Sequence, residues 1–211
     1  PRVLVGIPAP LRQLLAFVIA QIKGPSSIKN YRSIGGGSPQ LKWTVMQAEG
    51  LRQLLRGKEI RVEVGMRSSD PSIDAALEQM KFWGADQLTL MPLFPQFSTT
   101  TTGTCFDAVE DTLNKLEWHP QLTTITHWPD HPEYISLLRS SVDEAISLAR
   151  SERHESTGPI HVVFSAHSLP MKIVDLGDPY ADDVARTIRG VTRGLQTSWS
   201  LAYQSRNGRL P

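Results

Sequence analysis

The sequence predicts an α/β fold, an open parallel sheet with flanking helices, and three features carry that prediction. Apolar strand-like runs alternate with helix-like segments, and no repeat or low-complexity tract interrupts them. Proline, glycine and serine punctuate the junctions at the places where helices start and stop. The unusual residues gather just after the strands, on the rim where parallel α/β sheets hold their ligands.

The elements follow in chain order. Segment 11–22, LRQLLAFVIAQI, is apolar on most faces and ends at Gly24-Pro25. Its composition favours a core helix over one resting on a membrane. Ser38-Pro39 reads as N-cap plus first helical residue of a helix to about Arg56, and 59–65, EIRVEVG, is the first clear strand. Asp70-Pro71 opens a second helix in the same way, ending near Gly84. The second strand, 87–94, leads into a threonine-rich loop and a helix from about Phe106 to Leu116. A third strand (121–126), a long helix (132–150), a fourth strand (159–166), a helix (179–195) and a fifth strand (198–205) complete the pattern. Parallel strands need helical crossovers over the sheet face, and this alternation supplies them.

Bulk composition narrows the function. Hydrophobic content of 40%, charged content of 20% and a formal charge of +1 describe a globular chain with no polyelectrolyte character, so nucleic acid is not expected as a partner. Cys105 is the single cysteine, which rules out an intrachain disulfide and any all-cysteine zinc or iron–sulfur site. No apolar run reaches the roughly 18 residues that span a bilayer, and no signal-peptide pattern opens the chain. Cytoplasmic residence is the expectation. The chain begins on proline and stops after an apolar stretch, so both ends are expected to continue in a longer protein.

Three segments carry chemistry. YRSIGGGSPQLKWT (31–44) sets three glycines and a serine at a helix N-terminus, where free N–H groups can meet an anion. A structural turn explains it equally well; Arg32 and Lys42 lean toward the anion, and the spacing fits neither common nucleotide-binding fingerprint. MPLFPQFSTTTTGT (91–104) pairs a proline-stiffened apolar wall with a polar, flexible lip, a composition suited to a flat aromatic ligand with polar edges. His127 and His131 have i,i+4 spacing, but Pro129 and Pro132 prevent the regular helix a shared metal would need. His119, His154 and His161 read as solvated or structural. His167 follows a strand, faces the predicted crevice and precedes Pro170. A structural and a catalytic reading of it stand level on position alone.

Taken together, FSAHSLP (164–170), GDPY (177–180), YRSIGGGSP (31–39), PLFPQFSTTTTG (92–103), GMR (65–67) and YQSRNG (203–208) resemble, in the same order, the motifs of the ferrochelatases, which insert Fe(II) into a porphyrin. The resemblance runs through nearly the whole chain. It implies a chelatase-like (Rossmann-like) half plus the start of a second similar half, with porphyrin held between the halves. Residues 1–166 would form the first domain without its opening strand, and 167–211 the crossover helix and first strand of the second. It implies that His167 is the active-site histidine, acting as metal ligand or as acceptor of a pyrrole proton. Tyr31, Ser38 and Arg67 fall at positions that line the pocket or hold propionates, and Phe94, Phe97 and His131 also line it. Segment 11–22 is similar to the apolar lip of the porphyrin mouth, a possible peripheral membrane contact. Ser68-Ser69 stand where the family usually has an aromatic residue, and the family's acidic partners of the histidine come from a later part of the chain than this sequence covers. The implied partners are protoporphyrin IX or coproporphyrin III and ferrous iron, with Fe(II) as substrate and no resident cofactor. The same pattern leaves open a cobalt chelatase of this fold and an inactive tetrapyrrole-binding fragment; the piece alone is expected to be inactive.

Overall fold

The computed structural model describes residues 29, 31–33, 35–152 and 158–205. Segment 11–22, and with it the expected lip helix, lies outside them, as do His154 and residues 206–208 of the last motif. The described residues fall in two compact units, one drawn from Pro1–Leu88 and Thr104–Leu122, the other from Thr89–Gly103 and Thr123–Pro211. The chain alternates helices with short parallel strands, as an α/β fold requires.

In the first unit, helix α1 spans Gln40–Leu54. Pro39 occupies its N-cap position and Ser38 stands one residue outside, where its Oγ accepts the Gln40 N–H at 3.3 Å. The expected strand at 59–65 is not one. Residues 60–65 run without a ladder partner among the described residues, and Arg52 explains why in part. Its guanidinium donates to the Val62 carbonyl from Nε (3.0 Å) and Nη2 (2.7 Å), occupying an acceptor that a neighbouring strand would need. A single parallel bridge, Met66 to Ser72, follows.

Helix α2, Ile73–Trp83, starts two residues later than Asp70-Pro71 suggested. Ser72 has the extended backbone of a cap and its hydroxyl accepts the Ala75 N–H at 3.1 Å, so serine rather than aspartate closes the helix start. Gly84 ends it in the left-handed conformation, φ 87°, which lets its N–H and that of Ala85 return to the carbonyls of Lys81 and Met80. Ile73 and Leu77 bury the inner face with Leu88 and Val109, each contributing about 1.5–3 kcal/mol of transfer free energy.

Strands β1 (Gln87–Leu90) and β2 (Gln121–Thr124) pair with each other. Gln121 N–H donates to Asp86 and Ile125 N–H to Leu90, so partners advance together, the signature of parallel pairing. Strand β1 stops short of the expected 87–94 because Pro92 and Pro95 have no N–H to give a ladder. Helix α3, Thr102–Lys115, begins four residues before the expected Phe106, taking in the end of the threonine run.

The second unit is built on strands β3 (His161–His167) and β4 (Ser198–Gln204), parallel and in register from His161 opposite Ser198 to His167 opposite Gln204. The boundary expected at 166/167 falls within this ladder. Helix α4, Pro132–Ser151, precedes β3; a short helix α5, Met171–Asp175, and helix α6, Tyr180–Thr192, make the crossover. Helix α5 was not foreseen, because five residues are too few to show a helical period. Helix α6 buries Asp183, Val184, Thr187 and Val191, a stripe at helical spacing. It packs on α4 at Gly190, where an added Cβ would come within 2.8 Å of Ile135 Cδ1. Arg139 of α4 closes the contact by donating to the carbonyls of Val191 (3.3 Å) and Arg193 (2.9 Å) at the helix end.

Candidate active site

His167 is the last ladder residue of β3 rather than the first beyond it, and its side chain is exposed. The chain leaves the sheet under control: Ser168 N–H donates to the Gln204 carbonyl at 2.9 Å, and Pro170 occupies the N-cap position of α5. Strand β3 contains the β-prone run Val162-Val163-Phe164, and its pairing with β4 through to His167 gives the imidazole a fixed base. Close by, burial pushes the Tyr180 phenol up, an effect opposed by a hydrogen bond from the His167 backbone amide and reinforced by Tyr203 and Tyr134.

The loop from Met91 to Thr101 carries Phe94, exposed, and Phe97, half-buried. Its prolines leave carbonyls that are taken up locally: Trp128 donates its backbone N–H to Pro95 (2.8 Å) and its indole N–H to Pro92 (3.4 Å). The Trp128 ring meets Tyr134 edge to face, with centroids 5.0 Å apart. The hydroxyl run does not form the free, flexible lip that its composition suggested. Ser98 and Thr102 are fully buried, and Asp178 binds Ser98 Oγ (3.0 Å), Thr99 N–H (2.7 Å) and Thr99 Oγ1 (2.8 Å). Gln96 donates to Thr187 Oγ1 at 2.9 Å, and Phe97 N–H donates to Asp183 at 3.0 Å.

Asp183 was not singled out from the sequence, yet its buried carboxylate joins the loop, the segment after β2 and its own helix. Its Oδ2 also meets His127 Nδ1 at 2.6 Å and its Oδ1 accepts from Arg186 Nη1 at 3.1 Å. Arg186 in turn grips both oxygens of Asp130. A signal was present in the sequence: position 183 lies on the same stripe as Val184, Thr187 and Val191, and a carboxylate on a buried face must find donors.

The two histidines at i,i+4 spacing turn to different carboxylates, His127 to Asp183 and His131 to Glu133 at 2.9 Å. Among the described residues no group of three or more histidine, cysteine, aspartate or glutamate side chains could hold a metal ion. His131 sits exposed at the N-cap position of α4. His161 spans the serine hydroxyls of Ser198 (2.9 Å) and Ser200 (3.1 Å), a satisfied structural histidine as expected.

Tyr31, Ser38 and Arg67 belong to the first unit. Tyr31 is exposed, and its carbonyl accepts the Gly36 N–H at 2.8 Å. Gly35 and Gly36 hold φ values of 110° and 96° with nothing near the place of a Cβ, so conformation and not crowding selects glycine there. Arg67 is exposed and donates from Nε to the Thr104 carbonyl at 3.1 Å. Beside it, burial pushes the Cys105 thiol up and the Arg67 charge partly offsets this, which makes the cysteine a poor nucleophile. A separate concavity of about 350 Å³, walled by Leu113, Trp118, Pro120 and Leu122, includes none of the predicted site residues.

The chain thus presents an exposed histidine at a parallel strand's carboxyl end, an anchored aromatic loop, an exposed arginine and a glycine-rich turn. The ferrochelatase family model matches residues 1–211. The chain is 34% identical over 201 residues to the ferrochelatase of Aquifex aeolicus, a match covering 94% of this chain and 62% of that protein. It is 36% identical over 217 residues to the ferrochelatases of Gloeobacter violaceus (97% of this chain, 64% of that protein) and Nitrosococcus oceani (99% and 57%). It therefore spans somewhat more than half the length of the curated relatives it matches. With the match unbroken from the first residue to the last and every quoted motif inside it, the chain belongs to the ferrochelatase family.

Proposed function

We propose that this chain serves the insertion of Fe(II) into a porphyrin, protoporphyrin IX or coproporphyrin III, with release of two protons, as a step of heme synthesis. The observation that carries the reading is His167, exposed at the carboxyl end of β3 in a chain matched throughout by one family. A neutral imidazole suits the task because its ordinary pKa, about 6.5, lets it accept a pyrrole proton or hold and release a metal near neutral pH. A single nitrogen ligand binds iron weakly enough for the macrocycle to take it away.

The other site residues divide the remaining work. Arg67 brings a permanent cation suited to a propionate, and Tyr31 and Ser38 add hydroxyls beside a turn rich in N–H groups. Phe94 and Phe97, with His131, supply wall. Binding energy gathered along such walls can support about 1–5 kcal/mol of ring distortion, which turns pyrrole lone pairs toward an incoming ion. Residues 167–211 would open the second of the family's two halves, and segment 11–22 would form an apolar lip able to touch a membrane surface. None of the described helices is long and apolar enough to cross a membrane, and we assign the protein to the cytoplasm.

The test is His167→Ala in the full-length protein, assayed with Fe(II) and with Co(II). Insertion should be abolished while the circular dichroism spectrum and thermal midpoint stay near those of the parent. Near-normal turnover in the variant would overturn the assignment, and a parent active with Co(II) but not Fe(II) would favour the cobalt chelatase reading.

A further inference from the structure

We infer that Asp183, together with Asp178, is a positioning residue for the porphyrin: from helix α6 and the turn before it the two carboxylates fix the main chain of residues 97–99 and thereby set the aromatic wall. The inference rests on the porphyrin reading above and adds residues to it that touch no substrate.

The geometry leaves little slack. Three positions on α6 and its approach, 178, 183 and 187, meet four successive positions of the loop. Thr187 Oγ1 accepts from Gln96, Asp183 Oδ2 from Phe97 N–H, and Asp178 Oδ2 from Ser98 Oγ and from both the N–H and the hydroxyl of Thr99. Thr187 Oγ1 passes its own proton to the Pro129 carbonyl at 2.6 Å, so the segment after β2 is tied to the same stripe. Both carboxylates are buried, Asp183 to 2% exposure and Asp178 to 7%. Burying an ionised carboxylate is costly unless donors converge on it.

The direction of these bonds distinguishes the two acids from ordinary helix caps. Only one bond of Asp178, from Tyr180 N–H at 3.1 Å, goes to its own helix; the rest go to the loop. Asp183 accepts no N–H from its own backbone turn; it joins the loop to His127 and to Arg186. A helix that needed only stability would be served by an apolar residue at 183. A carboxylate there instead fixes Phe97 at its amide, one atom from the Cα that aims the ring.

The experiment compares Asp183→Asn with the parent full-length protein, using protoporphyrin IX and Fe(II), and follows amide hydrogen exchange at Phe97. Asparagine keeps the shape and loses the charge that three donors share. The expected result is a rise of about tenfold in the porphyrin KM and in the dissociation constant read by fluorescence quenching, with kcat within about threefold and faster exchange at Phe97. A lost structural role alone would lower thermal stability and the active fraction, hence apparent kcat, at unchanged KM. Faster exchange with unchanged KM, or a fall in kcat alone, would overturn the inference and leave the function standing. Failure of the parent to bind porphyrin would overturn the function and the inference with it. Should Asp183→Asn fail to fold, the pair Ser98→Ala, Thr99→Val releases the loop from the other side, and the same split between KM and kcat decides.

Discussion

Replacing Gly190 by alanine sets two effects of known size against each other. In a helix interior alanine is favoured over glycine by about 1 kcal/mol, so the bare expectation is a gain. The structure opposes it: the new Cβ would lie 2.8 Å from Ile135 Cδ1, 3.1 Å from Cγ1 and 3.2 Å from Cγ2. Carbon atoms rest at about 3.5–4.0 Å, and turning the Cδ1 methyl aside would leave the other two overlaps in place. Helix α6 must therefore shift from α4, at the usual overpacking cost of about 1–3 kcal/mol. The net change should be a loss of up to about 2 kcal/mol. Removing the obstructing atoms with Ile135→Ala should restore the helix gain, so that Gly190→Ala becomes stabilising by about 1 kcal/mol in that background. Urea unfolding of the four members of the cycle, read as midpoint shifts at constant slope, measures both terms. A stabilising Gly190→Ala in the parent, or a coupling to Ile135 below about 0.5 kcal/mol, would refute the close approach of the two helices.

Two further outcomes are expected. Ser72→Ala removes the hydroxyl that accepts the Ala75 N–H and should cost about 1 kcal/mol of stability in the same urea assay, whereas Asp70→Ala, outside the cap, should cost less; the reverse order would show that aspartate closes α2 after all. Tyr180 should titrate above the ordinary tyrosine range when its phenolate is followed at 295 nm, with Tyr180→Phe as the blank. Because the folded state holds that proton more tightly than the unfolded chain, its stabilising contribution is complete below pH about 10 and is lost as pH rises through the folded value. A normal titration of Tyr180 would remove it from the partly buried place beside the His167 amide.

The parts of this fold that were legible in the sequence are those decided locally. Strand β3 could be read because Val162, Val163 and Phe164 form a β-prone apolar run, and helix α4 because Pro132 marks its first turn and apolar residues recur at helical spacing behind it. What failed depended on partners. Residues 60–65 have every local property of a strand, but ladders are made between segments, and the Val62 carbonyl went to a side chain ten residues earlier. The choice between Asp70 and Ser72 as cap turned on which oxygen reaches an amide three residues on, which spacing alone leaves undecided. Among the candidate residues, His167 drew notice from its place after an apolar run, though position alone left a structural and a catalytic reading level. Asp183 was hidden because its loop partner lies 86 residues earlier in the chain.

That contrast bears on how the site keeps its shape. Buried carboxylates can often be exchanged for apolar residues of similar volume at little cost, or with a gain, provided that all their partners are replaced together. Here the partners are a backbone amide, His127 and Arg186, and the amide can be removed only by proline, which would remove the Phe97 ring with it. A leucine at 183 would fit the stripe of Val184 and Val191 but would leave the Phe97 N–H without an acceptor, at a cost of about 1–3 kcal/mol. The loop would then recover that loss most readily by turning its amide toward water, which moves the ring attached to it. Stability and wall geometry are therefore joined at a single oxygen of Asp183: the bond that makes the carboxylate tolerable inside the unit is the same bond that sets Phe97.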